Sequence, residues 1–260
     1  VWFSATFFGA IRSFPVGTGG GSNKIVQKQI VIVGLNHRSA PIEVRESVAF
    51  ENVYVREALV HLRDYPSIDE GVILSTCNRV EVIAAAGDVR SAFDDINGFL
   101  AQQKAQRHAE PLDDHVYTYQ GAEAVRHLFR VAASLDSMVI GEPQILGQLK
   151  QYYDAAQQAG TVGAVLHRLF HRSFSVAKRI RSETGIGSGA VSVSSIAVDL
   201  AKRIFDRFDD KTVMLIGAGK IGDLMARHLQ SHGVKNLMVT NRTFERAVSL
   251  AEKIHGNPIR

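Results

Sequence analysis

The sequence predicts an α/β protein in two parts. The first is an α+β, ferredoxin-like N-terminal unit followed by helices, and the second is the front part of a Rossmann nucleotide-binding unit. Three observations predict this. Between Gln29 and Tyr119 short apolar runs and helical spacings follow one another in β-α-β-β-α-β order. From Ala122 to Phe208 the strands stop and helical spacing takes over. From Thr212 a buried-type strand runs into Gly217-Ala218-Gly219-Lys220-Ile221-Gly222 at a helix start. A chain of 260 residues is long enough for one to two domains at roughly 150 residues each.

Element by element, Gln29–Leu35 (QIVIVGL) is the first strand, and Val55, Leu59 and Leu62 give Val53–Arg63 a helical face. Gly71–Thr76 and Val80–Ala86 are strands separated by Cys77, Asn78 and Arg79. Phe93, Ile96 and Leu100 place a helix over Val89–Lys104, and His115–Tyr119 is a fourth strand. Helices follow over Ala122–Ala133, Gln144–Ala159, Val162–Thr184 and Val193–Phe208, with Gly160 in a C-cap position. Gly185, Gly187 and Gly189 mark the hinge between units. Thr212–Ile216, a helix through Gln230 and the strand Asn236–Thr240 form a βαβ unit, after which another helix begins. The division expected is 1–24 as a disordered or non-native extension, 25–184 as the catalytic unit, and 185–260 as the N-terminal part of an NADP-binding unit. A doubly wound fold needs more strands, so the chain reads as the front of a longer protein.

Composition excludes several classes. A single cysteine, Cys77, rules out an intramolecular disulfide scaffold and fits a reducing, cytoplasmic compartment. No apolar run approaches the roughly 20 residues of a membrane span. The net charge is +4, and one segment accounts for it: residues 161–190 hold Arg168, Arg172, Lys178, Arg179 and Arg181 against Glu183. Such a helix suits a phosphate backbone, and equally a solvated face.

Four features carry chemistry. Gly217 permits the strand-to-helix turn, Gly219 the approach of a pyrophosphate and Gly222 close helix packing, with Ala218, Lys220 and Ile221 completing a phosphate-binding helix start. The second strand ends Thr240-Asn241-Arg242-Thr243 without a carboxylate, and Arg242 suits a 2′-phosphate, which favours NADPH over NADH. Cys77 sits in a tight interstrand connection beside Arg79, where a cation favours thiolate. The same cysteine alone is as easily a small buried hydrophobe. In Ser134–Gln148 a break at Gly141-Glu142-Pro143 gathers Ser137, Glu142, Gln144 and Gln148, which also read as helix caps. The i, i+4 histidine pairs His167/His171 and His228/His232 lack the glutamate of a zinc helix, so no metal site is expected.

At Ser75-Thr76-Cys77-Asn78-Arg79 the chain resembles the glutamyl-tRNA reductase family. Gly34-Leu35-Asn36-His37-Arg38-Ser39-Ala40-Pro41, Leu135–Ile145 and Ser188–Ser195 extend the resemblance, in the family's order. The resemblance implies that Cys77 takes up the glutamyl group as a thioester and that NADPH reduces it to glutamate-1-semialdehyde, opening tetrapyrrole (porphyrin) synthesis. It implies a glutamate pocket from Thr76, Asn78 and Arg79, with Arg79 on a carboxylate. It also implies a substrate site lined by Ser137, Glu142, Pro143, Gln144 and Gln148, and His127 as an acid/base or orienting group. Implied partners are glutamyl-tRNA, an aminomutase receiving the aldehyde, and a second subunit through a helical region this chain lacks, with no membrane. Two other readings compete. A shikimate-type NADP dehydrogenase leaves Cys77 idle, and a non-catalytic RNA-binding module does not explain the turn cysteine.

Overall fold

The computed structural model describes residues 27–105, 112, 114–187 and 193–260. The N-terminal unit contains β1 (Gln29–Asn36), α1 (Ile42–Ser47), α2 (Val55–Leu62), β2 (Glu70–Ser75), β3 (Arg79–Ala86), α3 (Val89–Ala105), β4 (Tyr117–Gln120), α4 (Gly121–Ala132), α5 (Gln144–Gln158) and α6 (Ala164–Glu183). Its sheet has the order β2-β3-β1-β4, antiparallel throughout. That is the split-βαβ arrangement the element order predicts, because β3 returns from β2 into the gap beside β1. β2 and β3 are buried along their whole length, so they read as continuous apolar runs without alternation. Buried faces of α2, α3, α4, α5 and α6 join the sheet in one core, with Leu59, Ile96, Leu128, Leu149 and Phe170 at 1% exposure or less.

Three local differences from the sequence reading matter. The short helix α1 was not expected, since six residues give too little periodicity to register. The β2–β3 connection is Thr76-Cys77-Asn78, one residue earlier than expected: Arg79 already pairs with Asn36 in the ladder. Arg79 is thus a strand residue rather than a turn residue, and its side chain is buried at 2% exposure. The helix expected after the strand Asn236–Thr240 is α9 (Phe244–Lys253), and beyond it Asn257–Pro258 adds a short parallel strand that was not expected.

α6 is started by a buried carboxylate. Glu70 on β2 accepts the N–H groups of Gly163, Val165 and Leu166 at 3.0, 3.2 and 2.8 Å, placing negative charge on orphan donors at a helix N-terminus. This bond set fixes the long helix against the sheet.

In the second unit α7 (Val193–Ile204) is shorter than expected, and β5 (Thr212–Ile216), α8 (Lys220–Ser231), β6 (Asn236–Thr240), α9 (Phe244–Lys253) and β7 (Asn257–Pro258) follow. The parallel sheet has the order β5-β6-β7. A separate core forms around Leu237, Val239, Ala226, Ala247 and Ala251. Of the glycine hinge, Gly185–Gly187 is a 3₁₀ turn, and Gly189 lies outside the described residues, as do residues 1–24 and most of Ser188–Ser195. Among the described residues no helix is long and apolar enough to cross a membrane.

Candidate active site

The register of the first sheet builds the site. Because β1 runs antiparallel to β3 and Asn36 pairs with Arg79, the residues after β1 flank the turn between β2 and β3. His37 donates its N–H to the Asn78 carbonyl at 2.9 Å. Thr76 closes the turn from within: its N–H reaches the Arg79 carbonyl at 2.8 Å, and its hydroxyl oxygen accepts the N–H groups of Asn78 and Arg79 at 3.3 and 3.1 Å. A threonine here does what a helix N-cap residue does, holding two backbone donors in place. The side chain left at the tip is Cys77, and it is exposed.

Two outside groups clamp this turn. Arg45 on α1 donates Nη1 to the Cys77 carbonyl and, at 3.4 Å, to Asn78 Oδ1. Tyr152 on α5 donates its hydroxyl to the Ser75 carbonyl and, at 3.0 Å, to Asn52 Oδ1. Gln144, Gln148 and Tyr152 stand at i, i+4 and i+8, so they share one face of α5. That face leads from the exposed Gln144 through the half-buried Gln148 to the cysteine turn.

Beneath the turn lies a buried charge network absent from the sequence reading. Arg79 is 2% exposed and Glu81 0%. The Arg79 Nη1 donates to Glu81 Oε1 at 2.7 Å, and its Nη2 meets the Asp136 carbonyl and, at 3.1 Å, the Asp136 carboxylate. The same Glu81 oxygen accepts the Tyr117 hydroxyl at 2.5 Å and His127 Nε2 at 2.7 Å. Gly34 makes this possible. It sits between Glu81 and Tyr117 in the ladder, and a Cβ there would lie 2.7 Å from Glu81 Cγ. Without a side chain at position 34, the strands on either side bond across it. His127 comes down from α4 and stacks on Tyr119 with ring centroids 4.5 Å apart.

Burial alone would raise the Glu81 carboxyl, but the Arg79 charge and the His127 and Tyr117 hydrogen bonds outweigh it and hold it near 2. The Tyr117 hydroxyl is pushed up by burial and by the Glu81 charge. Burial, with the charges of Arg38, Arg79 and Arg45, lowers His37 against the opposing pull of Asp136. Burial raises the Glu142 carboxyl.

Asp136 joins the loop after α4 to this network, since Arg38 at 3.2 Å and Arg130 at 3.8 Å also face it. The loop is shaped by Ser134 (φ 62°), whose hydroxyl meets Ser137 Oγ at 3.2 Å and the Glu142 carbonyl at 2.8 Å. Ser137 and Glu142 are thus brought together beside the Arg79 network, with Pro143 exposed at the start of α5. Arg79 was expected to lie against the thiol and to hold a substrate carboxylate. Its guanidinium instead points into the interior, on Glu81 and Asp136, and Arg45 is the cation bonded to the cysteine turn. His127 touches Glu81, Tyr117 and Tyr119, which makes it an orienting group of the network. Arg45, Glu81, Tyr117, Asp136 and Tyr152 escaped the sequence reading. Only Glu81 left a signal there, a lone acid two residues from Arg79 on the same strand face.

In the second unit Gly217 has φ +111°, and a Cβ on Gly222 would lie 2.3 Å from the Gly217 carbonyl oxygen. Helix α8 therefore packs directly on the turn that starts it, the close helix packing expected of Gly222. No atom lies within 4 Å of a Cβ built on Gly219, leaving that position open for a phosphate. Asn241 Oδ1 accepts the Ala218 N–H at 3.1 Å and its amide nitrogen donates to the Thr243 carbonyl at 2.9 Å. Ala218 and Asn241 thus brace the turn, and the amide row open to a phosphate begins at Gly219. A cleft of about 340 Å³ is lined by Gly219, Lys220, Asp223, Arg246 and Lys253. Arg242 is exposed at the end of β6. Among the described residues no three His, Cys, Asp or Glu side chains gather as metal ligands.

Comparison with known proteins follows the same division. Residues 33–184 match the family model described as glutamyl-tRNAGlu reductase, N-terminal domain. Residues 199–260 match the one described as shikimate / quinate 5-dehydrogenase. The chain is similar to the glutamyl-tRNA reductase of Desulfatibacillum aliphaticivorans, 51% identical over 89% of this chain and 53% of that protein. It is also similar to that of Solibacter usitatus, 50% identical over 89% and 55%. Among solved structures it resembles the glutamyl-tRNA reductase from Methanopyrus kandleri, with 40% identity and a TM-score of 0.56 over 89% of this chain and 54% of that one. The chain spans about half the length of the relatives it matches.

Proposed function

The chain belongs to the glutamyl-tRNA reductase family, and from that premise we propose that it supplies the nucleophile, acyl pocket and nucleotide turn for NADPH-dependent reduction of glutamyl-tRNA(Glu) to glutamate-1-semialdehyde, the first step of tetrapyrrole synthesis. The observation that carries this reading is the exposed Cys77 thiol at the tip of a turn whose backbone is held by Thr76, Arg45 and Tyr152. A nucleophile fixed on a rigid turn meets its electrophile without first ordering a loop.

In this mechanism the Cys77 thiolate attacks the ester carbonyl that joins glutamate to the terminal ribose. The S–C bond forms, the C–O bond breaks, and the ribose oxygen leaves with a proton as free tRNA. His37, whose backbone N–H is bonded to the Asn78 carbonyl of the turn, is the imidazole placed for proton exchange with the thiol. Arg79 receives the glutamate carboxylate in place of Asp136, while Glu81 and His127 keep the guanidinium oriented from behind. Ser137, Glu142, Pro143, Gln144 and Gln148 wall the pocket. Gly217–Gly222 would hold NADPH, which when bound would supply hydride to the thioester. The amides of Gly219, Lys220 and Ile221 would take its phosphates, and Arg242 would pair with the 2′-phosphate that separates it from NADH.

Residues 25–184 are the catalytic unit and 185–260 the nucleotide-binding one, a division supported by where the two family matches begin and end. A cytoplasmic setting, a homodimer of the whole protein and transfer of the aldehyde to an aminomutase belong to the same reading. Incubation with glutamyl-tRNA in the absence of hydride donor tests it. Mass spectrometry of the Cys77 peptide is expected to show a glutamyl adduct that Cys77→Ser abolishes. Loss of the acyl group at the same rate in both proteins, or no loss at all, overturns it.

A further inference from the structure

We propose that the outer face of α6 is the docking surface for the phosphate backbone of the tRNA. This inference rests on the glutamyl-tRNA reading and places the nucleic acid on the fold. α6 turns Leu166, Leu169, Phe170, Ser173 and Ala177 into the core. The opposite face exposes His167, Arg168, His171, Arg172, Lys178 and Arg179. At ~1.5 Å rise per residue this stripe is about 18 Å long, enough to follow several successive phosphates. It holds four cations, and the only acid on the helix is Glu183, bonded to Arg179 at 3.1 and 3.2 Å at the far end. Lys150 on α5 adds a cation beside the stripe, 5.8 Å from the Phe174 ring.

The surface is rigid. Glu70 fixes the start of the helix, and Tyr153 holds His167 through a 2.6 Å hydroxyl–imidazole contact, with the His167 and His171 rings 4.3 Å apart. It is also aimed. Arg181, next in line, turns away from the stripe and bonds the Gly141 carbonyl at 2.9 Å, tying the end of α6 to the loop that carries Asp136, Ser137 and Glu142. A backbone lying along α6 therefore runs toward the cysteine pocket. Charge of one sign presented on a fixed rod reads phosphate without reading bases.

The test is binding of uncharged tRNA by fluorescence anisotropy across salt concentrations from about 50 to about 200 mM, using wild type, the triple variant Arg168→Ala/Arg172→Ala/Lys178→Ala, and the charge-preserving Arg168→Lys/Arg172→Lys. Each phosphate contact removed flattens the slope of log affinity against log salt by about 0.7 to 0.9. The triple variant is expected to lose about two to three units of slope and to bind more weakly, while the lysine variant keeps the wild-type slope. Cys77→Ser is expected to bind like wild type, because uncharged tRNA offers no acyl group. Acylation of Cys77 by a small glutamyl thioester, which has no phosphate backbone, is expected to be unchanged in the triple variant. An unchanged slope in the triple variant overturns the proposal, as does a fall in affinity shared by the lysine variant. If the thioester never acylates Cys77, the glutamyl-transfer reading fails, and the salt slope still decides whether α6 docks RNA.

Discussion

Glu81→Gln keeps the shape of a side chain with no solvent exposure and removes its charge. Removing one partner of a buried ion pair costs ~3–5 kcal/mol, and because Arg79 keeps Asp136 the lower end applies, about 3 kcal/mol. Proton linkage gives a similar size by a separate route. The carboxyl is held at about 2 in the fold against an ordinary 4.5, and at ~1.36 kcal/mol per pH unit of difference that is also about 3 kcal/mol. The sign follows from the direction. A folded value below the unfolded one stabilises at pH above about 4.5, and the contribution disappears as pH falls from there toward about 2. Thermal and urea unfolding of the whole chain at pH 7 and at steps down to pH 3, followed by circular dichroism, are the assays. For a unit of this size the variant is expected to melt ~6–12 °C lower at pH 7. It is also expected to lose less stability than wild type on acidification, so that the two curves converge. A variant within about 0.5 kcal/mol of wild type at pH 7, the level of an ordinary surface change, refutes the reasoning, and so does an unchanged acid slope.

Two further outcomes are expected. Gly222→Ala places a methyl 2.3 Å from the Gly217 carbonyl oxygen, which costs ~1–3 kcal/mol by overpacking and lowers affinity for the reduced dinucleotide about tenfold in a fluorescence titration; Gly219→Ala, with open space around it, is expected to melt like wild type. Thr76→Val leaves the Asn78 and Arg79 N–H groups without their acceptor at a cost of about 1 kcal/mol, and alkylation of Cys77 at fixed pH is expected to change rate, with Thr76→Ser restoring both; equal rates in all three proteins would show that the hydroxyl does not hold the turn.

Much of the architecture could be read from local pattern. Strands β5 and β6 fall on the expected residues because continuous apolar runs bounded by turn residues leave little choice. The glycine turn was legible because Gly217 and Gly222 answer to a backbone constraint within six residues. The cysteine turn was placed to within one residue, but that residue was Arg79. Its inward face was set by pairing with Asn36 across the sheet, and nothing adjacent to it in sequence records that pairing. Helix α1 and its Arg45 were missed because one and a half turns carry no measurable period.

By itself the sequence determined the order of the longer elements, the position of the thiol and the glycine turn, since each depends on neighbours a few residues away. Tertiary structure alone decided how the charges are arranged. Arg79 reaches Asp136 across 57 positions, and His127 reaches Glu81 across 46. The physical reason is desolvation: a charge taken into a core is tolerated only where the fold brings an opposite charge within bonding distance, and which residue arrives there depends on strand register and helix packing.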